Sequence, residues 1–186
     1  VVNVCNCSWS GSRVTGNSDS TTRAYAGCST RRINDLSIRG FVPDVIIIFL
    51  GRNDWGNNVA LGTWTERDGI PSGGTISLFR TGYALMLAKI RQTYKMAKIY
   101  CCTNLDDIVT DDGSWPTNNP SGISTVSWNK NVMEIAEYFG CSIIDLHNCG
   151  INYFNLDLYS VDAQLHPNVA GMELMAEKII CQMLSK

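Results

Sequence analysis

The chain has 186 residues, of which 45% are hydrophobic and 17% are charged, and its formal net charge is −2. This is the composition of a globular domain with a real core, and it excludes the strongly basic surface that nucleic acids and anionic membranes attract. No apolar run is long enough to span a membrane and no signal peptide opens the sequence, so neither a membrane span nor a leader is predicted.

The eight cysteines indicate the redox environment. No pair has the Cys-x-x-Cys spacing of a zinc site, and adjacent Cys101 and Cys102 would point to opposite sides of a strand. Reduced thiols are therefore expected, which favours the cytoplasm; a secreted protein whose N-terminal signal has been removed is the alternative. The cysteines in strand-like runs, where this residue commonly serves as a small buried hydrophobe, are Cys5, Cys7, Cys101, Cys102 and Cys141.

The distribution of apolar residues predicts four strands that alternate with four helices. This alternation is typical of a single domain, here residues 1–186, with a three-layer α/β/α sandwich, a parallel sheet and right-handed crossovers. The run from 45 to 50 is apolar throughout, which predicts a strand buried on both faces. In chain order the predicted strands and helices are 1–7, 24–39, 45–50, 79–94, 98–103, 128–139, 141–146 and 169–184, and the loops are 8–23, 51–74 and 104–123.

Polar clusters follow the first two predicted strands, at the edge where a parallel sheet binds its ligands. Ser8-Trp9-Ser10-Gly11-Ser12 comes after the first strand, and Gly51-Arg52-Asn53-Asp54 comes after the second. The backbone N–H of Gly11 and the side-chain amide of Asn53 could together form an oxyanion hole. A simple turn is the alternative interpretation of Asn53-Asp54, because both residue types favour turns.

The segment from Asp162 to Asn168 leads into the last predicted helix and contains one of only two histidines. His166 has the chemistry of a general base, and Asp162 could orient its ring. The alternative is a structural role at the start of the helix, where Asn168 is a suitable N-cap. The other histidine, His147, ends the last strand and could also reach this edge of the sheet.

These segments resemble the sequence blocks of the SGNH (GDSL-type) hydrolase family in order and spacing. The resemblance covers essentially the whole chain, and it implies a serine hydrolase that needs neither a metal nor a cofactor. In such an enzyme His166 would be the base, while Gly11 and Asn53 would stabilise the oxyanion. The residues that match the family blocks are Gly11, Gly51, Asn53, Asp54, His166, Pro167 and Asn168.

The acid of the catalytic pair departs from the family pattern. The family places its acid three residues before the histidine, where this chain has Ala163. Asp162 lies one residue further back, and positions three and four apart in a helical turn both face the same residue, so Asp162 can still reach His166. Asp157 is the reserve candidate.

The family's Gly-Asp-Ser block, which supplies the nucleophile, has no counterpart in this sequence. In a flavodoxin-like strand order the strand that carries it would lie between the predicted strands 1–7 and 45–50, and its loss would leave buried backbone groups unpaired. Three explanations are open. The serine belongs to an upstream segment or another chain, the sheet closes differently, or Ser10 has taken over as nucleophile.

The resemblance implies that the function is that of a serine esterase or acylhydrolase that cleaves small acyl esters, including acetyl groups on carbohydrate. The alternative is a protein that lacks the nucleophile and only binds a ligand such as a glycan. Trp9, Trp55 and Trp64 are candidates for stacking on sugar rings, although packing is the commoner role of such residues, and the loop 51–74 could cover the site. Expected partners are the ester substrate and a separate N-terminal segment or a second copy of the chain; nucleic acid and membranes are not expected.

Overall fold

The computed structural model describes residues 3–21, 26–105, 118–162 and 166–185. These residues form a mixed α/β fold in which a parallel three-stranded sheet carries helices on both faces. None of the helices in these ranges is both long and apolar enough to cross a membrane. The strands are β1 (Gly16–Asn17), β2 (Val45–Ile48), β3 (Thr75–Ile76), β4 (Lys98–Cys102) and β5 (Ser142–Ile144). The α-helices are α1 (Thr30–Asn34), α2 (Arg52–Gly56), α3 (Phe79–Thr93), α4 (Thr125–Tyr138), α5 (Leu156–Tyr159) and α6 (Val169–Leu184).

The main sheet has the strand order β2-β4-β5, and its strands are all parallel. β1 and β3 form a separate two-residue antiparallel pair. The main core lies on the sheet face of Ile46 and Ile99, where α3 and α4 bury Phe79, Tyr83 and Trp128. A smaller apolar cluster lies on the opposite face, where α6 packs over β4 and β5. The sheet therefore has three layers at the β4–β5 end.

The predictions for the second half of the chain are confirmed. α3, α4, β4 and β5 lie within three residues of their predicted bounds, and α6 spans 169–184 as predicted. The N-cap of α6 is Asn168, whose side chain accepts a hydrogen bond from the backbone N–H of Gly171 at 3.0 Å. The apolar repeat of these helices identifies them in sequence because each packs one face against the sheet.

The predictions for the first half are partly wrong. Residues 3–7 form no strand, and the predicted helix 24–39 is reduced to α1 and a 3₁₀ turn at Asp35–Ser37. The helix begins late because the Ser29 side chain accepts the Arg32 backbone N–H and caps α1. The predicted loop 51–74 contains α2 and a 3₁₀ turn at Glu66–Asp68. The positions 1–2, 22–25, 106–117, 163–165 and 186 lie outside the described residues.

The second predicted strand exists, but it is not buried on both faces. Val45 and Ile47 of β2 are 42% and 46% exposed, whereas Ile46 and Ile48 on the other face are buried. Within the described part of the chain, β2 is also the last strand of the sheet on its side, since only β4 pairs with it there. Its uniformly apolar sequence therefore faces solvent on one side and along one edge among the described residues.

Candidate active site

The side chains of Asp162 and His166 meet in the loop between α5 and α6. Asp162 Oδ2 lies 2.6 Å from His166 Nδ1, and Asp162 Oδ1 accepts the His166 backbone N–H at 3.2 Å. The Asp162 and His166 side chains are 34% and 71% exposed, so a reactant can approach the pair. Because the carboxylate holds Nδ1, Nε2 is the nitrogen positioned to exchange a proton with a nucleophile.

Asn168 fixes this loop against the two helices that flank it. Its side-chain oxygen caps α6, and its Nδ2 donates to the carbonyl oxygen of Leu158 in α5 at 2.8 Å. The Asn168 backbone N–H donates to Tyr159 O at 2.9 Å. α5 and α6 approach so closely here that a Cβ on Gly171 would lie 2.2 Å from Tyr159 O, so only glycine fits. The loop that carries His166 is therefore firmly attached to α5 and α6.

Asp54 is a buried connector rather than a group open to substrate. It lies in α2, which three residues separate from the end of β2, and its buried carboxylate accepts three hydrogen bonds. The donors are the backbone N–H of Val14 at 2.7 Å, that of Thr15 at 3.1 Å, and Thr15 Oγ1 at 2.8 Å. Burial raises the pKa of Asp54, although these hydrogen bonds oppose the shift. Asp54 thus ties the end of β2 to the segment that follows Gly11.

Asn53, in α2, is hydrogen-bonded to the residue that follows Gly11. Asn53 Nδ2 donates to the carbonyl oxygen of Ser12 at 2.9 Å, and a primary amide has a second hydrogen that this bond leaves free. Gly11 has φ of +73°, which favours glycine, and a Cβ there would meet no atom within 4 Å. The space beside the Gly11 Cα is therefore open, and the Asn53 amide is held by Ser12.

Arg32 in α1 organises the loop that carries Gly11, a role that the sequence analysis missed. Its Nη1 donates to Ser12 Oγ at 2.7 Å and its Nη2 donates to Cys7 O at 3.1 Å. Its guanidinium also lies 4.6 Å from the centroid of the Trp9 ring. Burial lowers the pKa of Arg32, while Asp35 and Cys7 oppose that shift. In sequence, adjacent arginines in a short helix cannot be distinguished from a solvated charged surface.

Two of the three tryptophans proposed for sugar binding are part of the core. Trp55 and Trp64 are 4% and 7% exposed, and their Nε1 atoms donate to Ile123 O and Gly69 O at 2.8 and 2.9 Å. Their burial argues against the sugar-stacking role, because neither ring face is open to a ligand. Trp9 is half-buried under Arg32 and remains a candidate.

Ser10 is exposed in the turn that the Ser12 N–H closes onto Trp9 O at 3.2 Å. Among the described residues, no hydrogen bond joins Ser10 to His166. The reserve acid, Asp157, is exposed on α5, while the carboxylate in contact with His166 is that of Asp162. The structure thus places the candidate base beside the first-choice candidate acid, and the described residues show no hydrogen bond between His166 and the candidate substitute nucleophile.

Further polar groups follow β4 and β5 at the same edge of the sheet. Thr103 Oγ1 donates to Asp145 Oδ1 at 3.0 Å and accepts the backbone N–H of His147 at 2.9 Å. The side-chain amide of Asn104 is buried and has no hydrogen-bond partner among the residues that the structure describes, and the same holds for His147 Nδ1. No group of three or more His, Cys, Asp or Glu side chains is arranged to hold a metal ion in the described ranges.

A family model matches nearly the whole of this chain. The model of the GDSL-like lipase/acylhydrolase family aligns with residues 2–174. No curated protein matches the sequence.

Solved structures with low sequence identity share the fold. A Lactobacillus plantarum protein is 20% identical with a TM-score of 0.69, and the alignment covers 92% of this chain and 76% of that one. A peptidoglycan O-acetylesterase is 16% identical with a TM-score of 0.59, covering 83% of this chain and 40% of that one. An acetyl xylan esterase is 22% identical with a TM-score of 0.50, covering 80% and 74%. At these identities the matches establish the fold alone.

Proposed function

The chain belongs to the GDSL-like lipase/acylhydrolase family, and we propose that it contributes the base and the oxyanion hole of a serine esterase that cleaves small acyl esters. The observation that carries the proposal is the 2.6 Å contact between Asp162 Oδ2 and His166 Nδ1. A carboxylate on Nδ1 fixes the tautomer and the orientation of the ring, which is what a general base needs.

In the proposed reaction, His166 Nε2 takes the proton of a serine hydroxyl while the serine oxygen attacks the carbonyl carbon of the ester. Asp162 stabilises the imidazolium that forms. The tetrahedral intermediate collapses as the imidazolium gives its proton to the departing alcohol oxygen, and the acyl group remains on the serine. Nε2 then deprotonates a water molecule, which attacks the acyl-serine, releases the carboxylic acid and restores the serine.

The proposed oxyanion hole consists of the Gly11 N–H and the second hydrogen of the Asn53 amide. The Ser12 carbonyl already orients that amide, and Arg32 holds Ser12 from the other side. Donors fixed before the reaction stabilise the developing negative charge without further reorganisation, and one such donor contributes about 10²–10³-fold in rate. The hydrogen bond of Asn53 therefore supports a role as an oxyanion-hole donor rather than as a simple turn residue.

The proposed substrates are short acyl groups, acetyl above all, on carbohydrates. Two of the structures that share the fold are a peptidoglycan O-acetylesterase and an acetyl xylan esterase. The exposure of His166, at 71%, supports this choice because a base at the surface can be approached by an ester on a bulky polymer.

We propose that the serine is supplied by polypeptide outside the 186 residues, since the described Ser10 makes no hydrogen bond with His166. A protein that binds its ligand without a nucleophile is the rival function. The esterase and the ligand-binding protein would each use a pocket at the same edge of the sheet. Only a measurement of catalysis therefore distinguishes the two functions.

Hydrolysis of p-nitrophenyl acetate by the complete gene product tests the proposal. We expect turnover, its loss by about 10³-fold or more in His166→Ala, and a change of less than about tenfold in the control His147→Ala. Folded protein that cleaves neither this ester nor acetylated xylan or peptidoglycan would instead support the ligand-binding function.

A further inference from the structure

Cys5 and Cys7 bring two thiol sulfur atoms next to each other. Their Sγ atoms lie 3.5 Å apart, and both cysteines are free of disulfide bonds. Exposure alternates along this segment: Cys5, Cys7 and Trp9 are half-buried, and the residues between them are exposed. Alternate residues of an extended chain point to the same side. The two thiols therefore share one side of the segment and converge on one point.

The Cys7 end of the pair is fixed by the helix α1 and the 3₁₀ turn that follows it. Cys7 Sγ donates to the carbonyl oxygen of Asp35 at 3.3 Å, and Arg32 Nη2 donates to Cys7 O at 3.1 Å. The backbone N–H of Ser8 donates to Asn6 Oδ1 at 2.9 Å. Because these bonds hold the segment before any ligand arrives, a ligand of the two thiols has less conformational freedom to remove when it binds.

A disulfide bond is a poor fit for this pair. Two residues of extended chain span about 6.6–7.2 Å between their Cα atoms. The Cα atoms of a disulfide usually lie about 4.4–6.8 Å apart, most often near the middle of that range. A ligand atom placed between the two sulfur atoms removes this restriction, because the sulfur atoms then do not have to touch. The spacing therefore favours a bound ion over a disulfide.

The number of ligands indicates which ion fits. In the described ranges, no third His, Cys, Asp or Glu side chain completes a group with the two thiols that could hold a metal. A structural zinc ion takes four protein ligands, and an iron–sulfur cluster takes four cysteines. Two thiolates instead suit a soft ion that is satisfied by two ligands, and Cu⁺ is such an ion.

The distance between the sulfur atoms is close to the one that Cu⁺ needs. If each metal–sulfur bond is about 2.3 Å long, as in zinc sites, two such bonds in line span about 4.6 Å. The observed separation is 3.5 Å, so each Sγ has to move outward by only about 0.5 Å. A small rotation of χ1 within the same staggered well supplies that movement.

The surrounding charges suit a complex of two thiolates with one monovalent cation, which carries a net charge of −1. The Arg32 guanidinium lies beside the pair through its hydrogen bond to Cys7 O, and it offsets this charge. The carboxylate of Asp35 would oppose it, but Arg31 Nε pairs with that carboxylate at 2.8 Å. The site can therefore hold the anionic complex without a further counter-ion.

The proton on Cys7 restricts the choice of ion further. Burial and the neighbouring Cys5 raise the pKa of Cys7 to about 11, so Cys7 is a thiol when no ion is bound. A metal binds the thiolate and has to release this proton. Ions with a strong preference for sulfur, such as Cu⁺, do so more readily than ions that prefer oxygen.

We propose that Cys5 and Cys7 form a two-coordinate site for Cu⁺, in which each thiol loses its proton and each sulfur atom forms one bond to the ion. The oxidation state of copper and sulfur does not change on binding. The site adjoins the loop that carries Gly11, since Arg32 Nη1 also donates to Ser12 Oγ at 2.7 Å.

Anaerobic titration of the complete gene product with Cu⁺, against bicinchoninate as a competing chelator, tests the site. We expect one bound Cu⁺ whose affinity falls by about 10²-fold or more in Cys5→Ser and in Cys7→Ser, because each variant loses the gain from two linked ligands. Cys149→Ser changes another half-buried free cysteine and is the matched control, which should bind this ion as the wild type does. Undiminished binding in Cys5→Ser and Cys7→Ser overturns the proposal, as does an equal loss in Cys149→Ser.

X-ray absorption at the copper edge tests the coordination without any variant. The wild-type complex should show two sulfur neighbours at about 2.3 Å and no nitrogen or oxygen neighbour. Three or four sulfur neighbours would overturn the two-coordinate site, as would a copper ion shared between two chains in light scattering. Displacement of Cu⁺ by a tenfold excess of Zn²⁺ would reject copper as the preferred ion.

None of these measurements involves ester hydrolysis. A protein that binds Cu⁺ as expected but cleaves no ester would uphold the copper site and reject the proposed function. Ester hydrolysis in a protein whose Cys5 and Cys7 bind no Cu⁺ would do the reverse.

Discussion

Asp162 Oδ2 lies 2.6 Å from His166 Nδ1, while Asp162 Oδ1 accepts the backbone N–H of the same histidine at 3.2 Å. One carboxylate therefore sets both the ring orientation and the turn that presents it. The spacing of four residues, rather than the family's three, is accommodated because each carboxylate oxygen has a separate donor.

Asp162→Asn should lower kcat by about 10²–10⁴-fold, because an amide can neither fix the same tautomer nor stabilise the imidazolium. Steady-state kinetics on a p-nitrophenyl ester would measure the loss. The control is Asp157→Asn, which changes an exposed carboxylate on the neighbouring helix α5 and should leave kcat within about twofold. Equal activities of the two variants would remove Asp162 from the mechanism.

Asn53→Ala should lower kcat by about 10²–10³-fold with a smaller change in KM, as expected for a donor that acts in the transition state. Part of this loss would come from Ser12, which Asn53 holds at 2.9 Å. Asn34→Ala, on an exposed asparagine at the end of α1, is the matched control and should be neutral. A change in KM alone would assign Asn53 to substrate binding.

Arg32 should act as a positioning residue for the Gly11 loop. Arg32→Lys cannot reach Ser12 Oγ and Cys7 O together, so we expect kcat to fall by about tenfold while KM and the pH profile stay unchanged. Arg31→Lys changes the adjacent arginine, which pairs with Asp35, and should have little effect. A loss of stability equal in both variants would mean that Arg32 is merely structural.

Asp54→Ala should cost about 2–4 kcal/mol in the free energy of unfolding, because it leaves the donors of Val14 and Thr15 buried without an acceptor. Chemical denaturation would measure this cost. Asp44→Ala, at an exposed carboxylate just before β2, should change stability by no more than about 0.5 kcal/mol.

The pH dependence of the Asp54 effect has a definite sign. Burial raises the pKa of Asp54 in the folded state, so the folded protein binds this proton more tightly than the unfolded chain does. Its ionisation therefore opposes folding, and the penalty disappears as the pH falls through the folded pKa toward the unfolded value. The stability of the wild type relative to Asp54→Asn should be greater at pH 4 than at pH 7. The opposite trend would show that the three hydrogen bonds outweigh burial.

The structural features that depend on local sequence pattern could be predicted from the sequence. Those that depend on contacts between residues distant in the chain could not. The helix after Asn168 and the contact of Asp162 with His166 follow from an N-cap and from helical spacing, and both are present. The sequence also predicted a strand at Val45 but wrongly expected two buried faces, because hydrophobicity records what a residue prefers and not what covers it.

The roles of Arg32 and Asp54 could not be predicted because their partners are distant in the chain. Asp54 binds Thr15 across 39 positions and Arg32 binds Cys7 across 25. The burial of Trp55 and Trp64 was missed for the same reason, since each packs against residues that follow much later, such as Ile123 and Phe139.

Covalent labelling measures directly whether His166 activates a serine. A fluorophosphonate would be incubated with the complete gene product and with His166→Ala, and the modified peptide identified by mass spectrometry. We expect one labelled serine, outside the 186 residues, and no labelling in His166→Ala. A folded, unlabelled protein, or a labelled serine whose modification does not depend on His166, would contradict it.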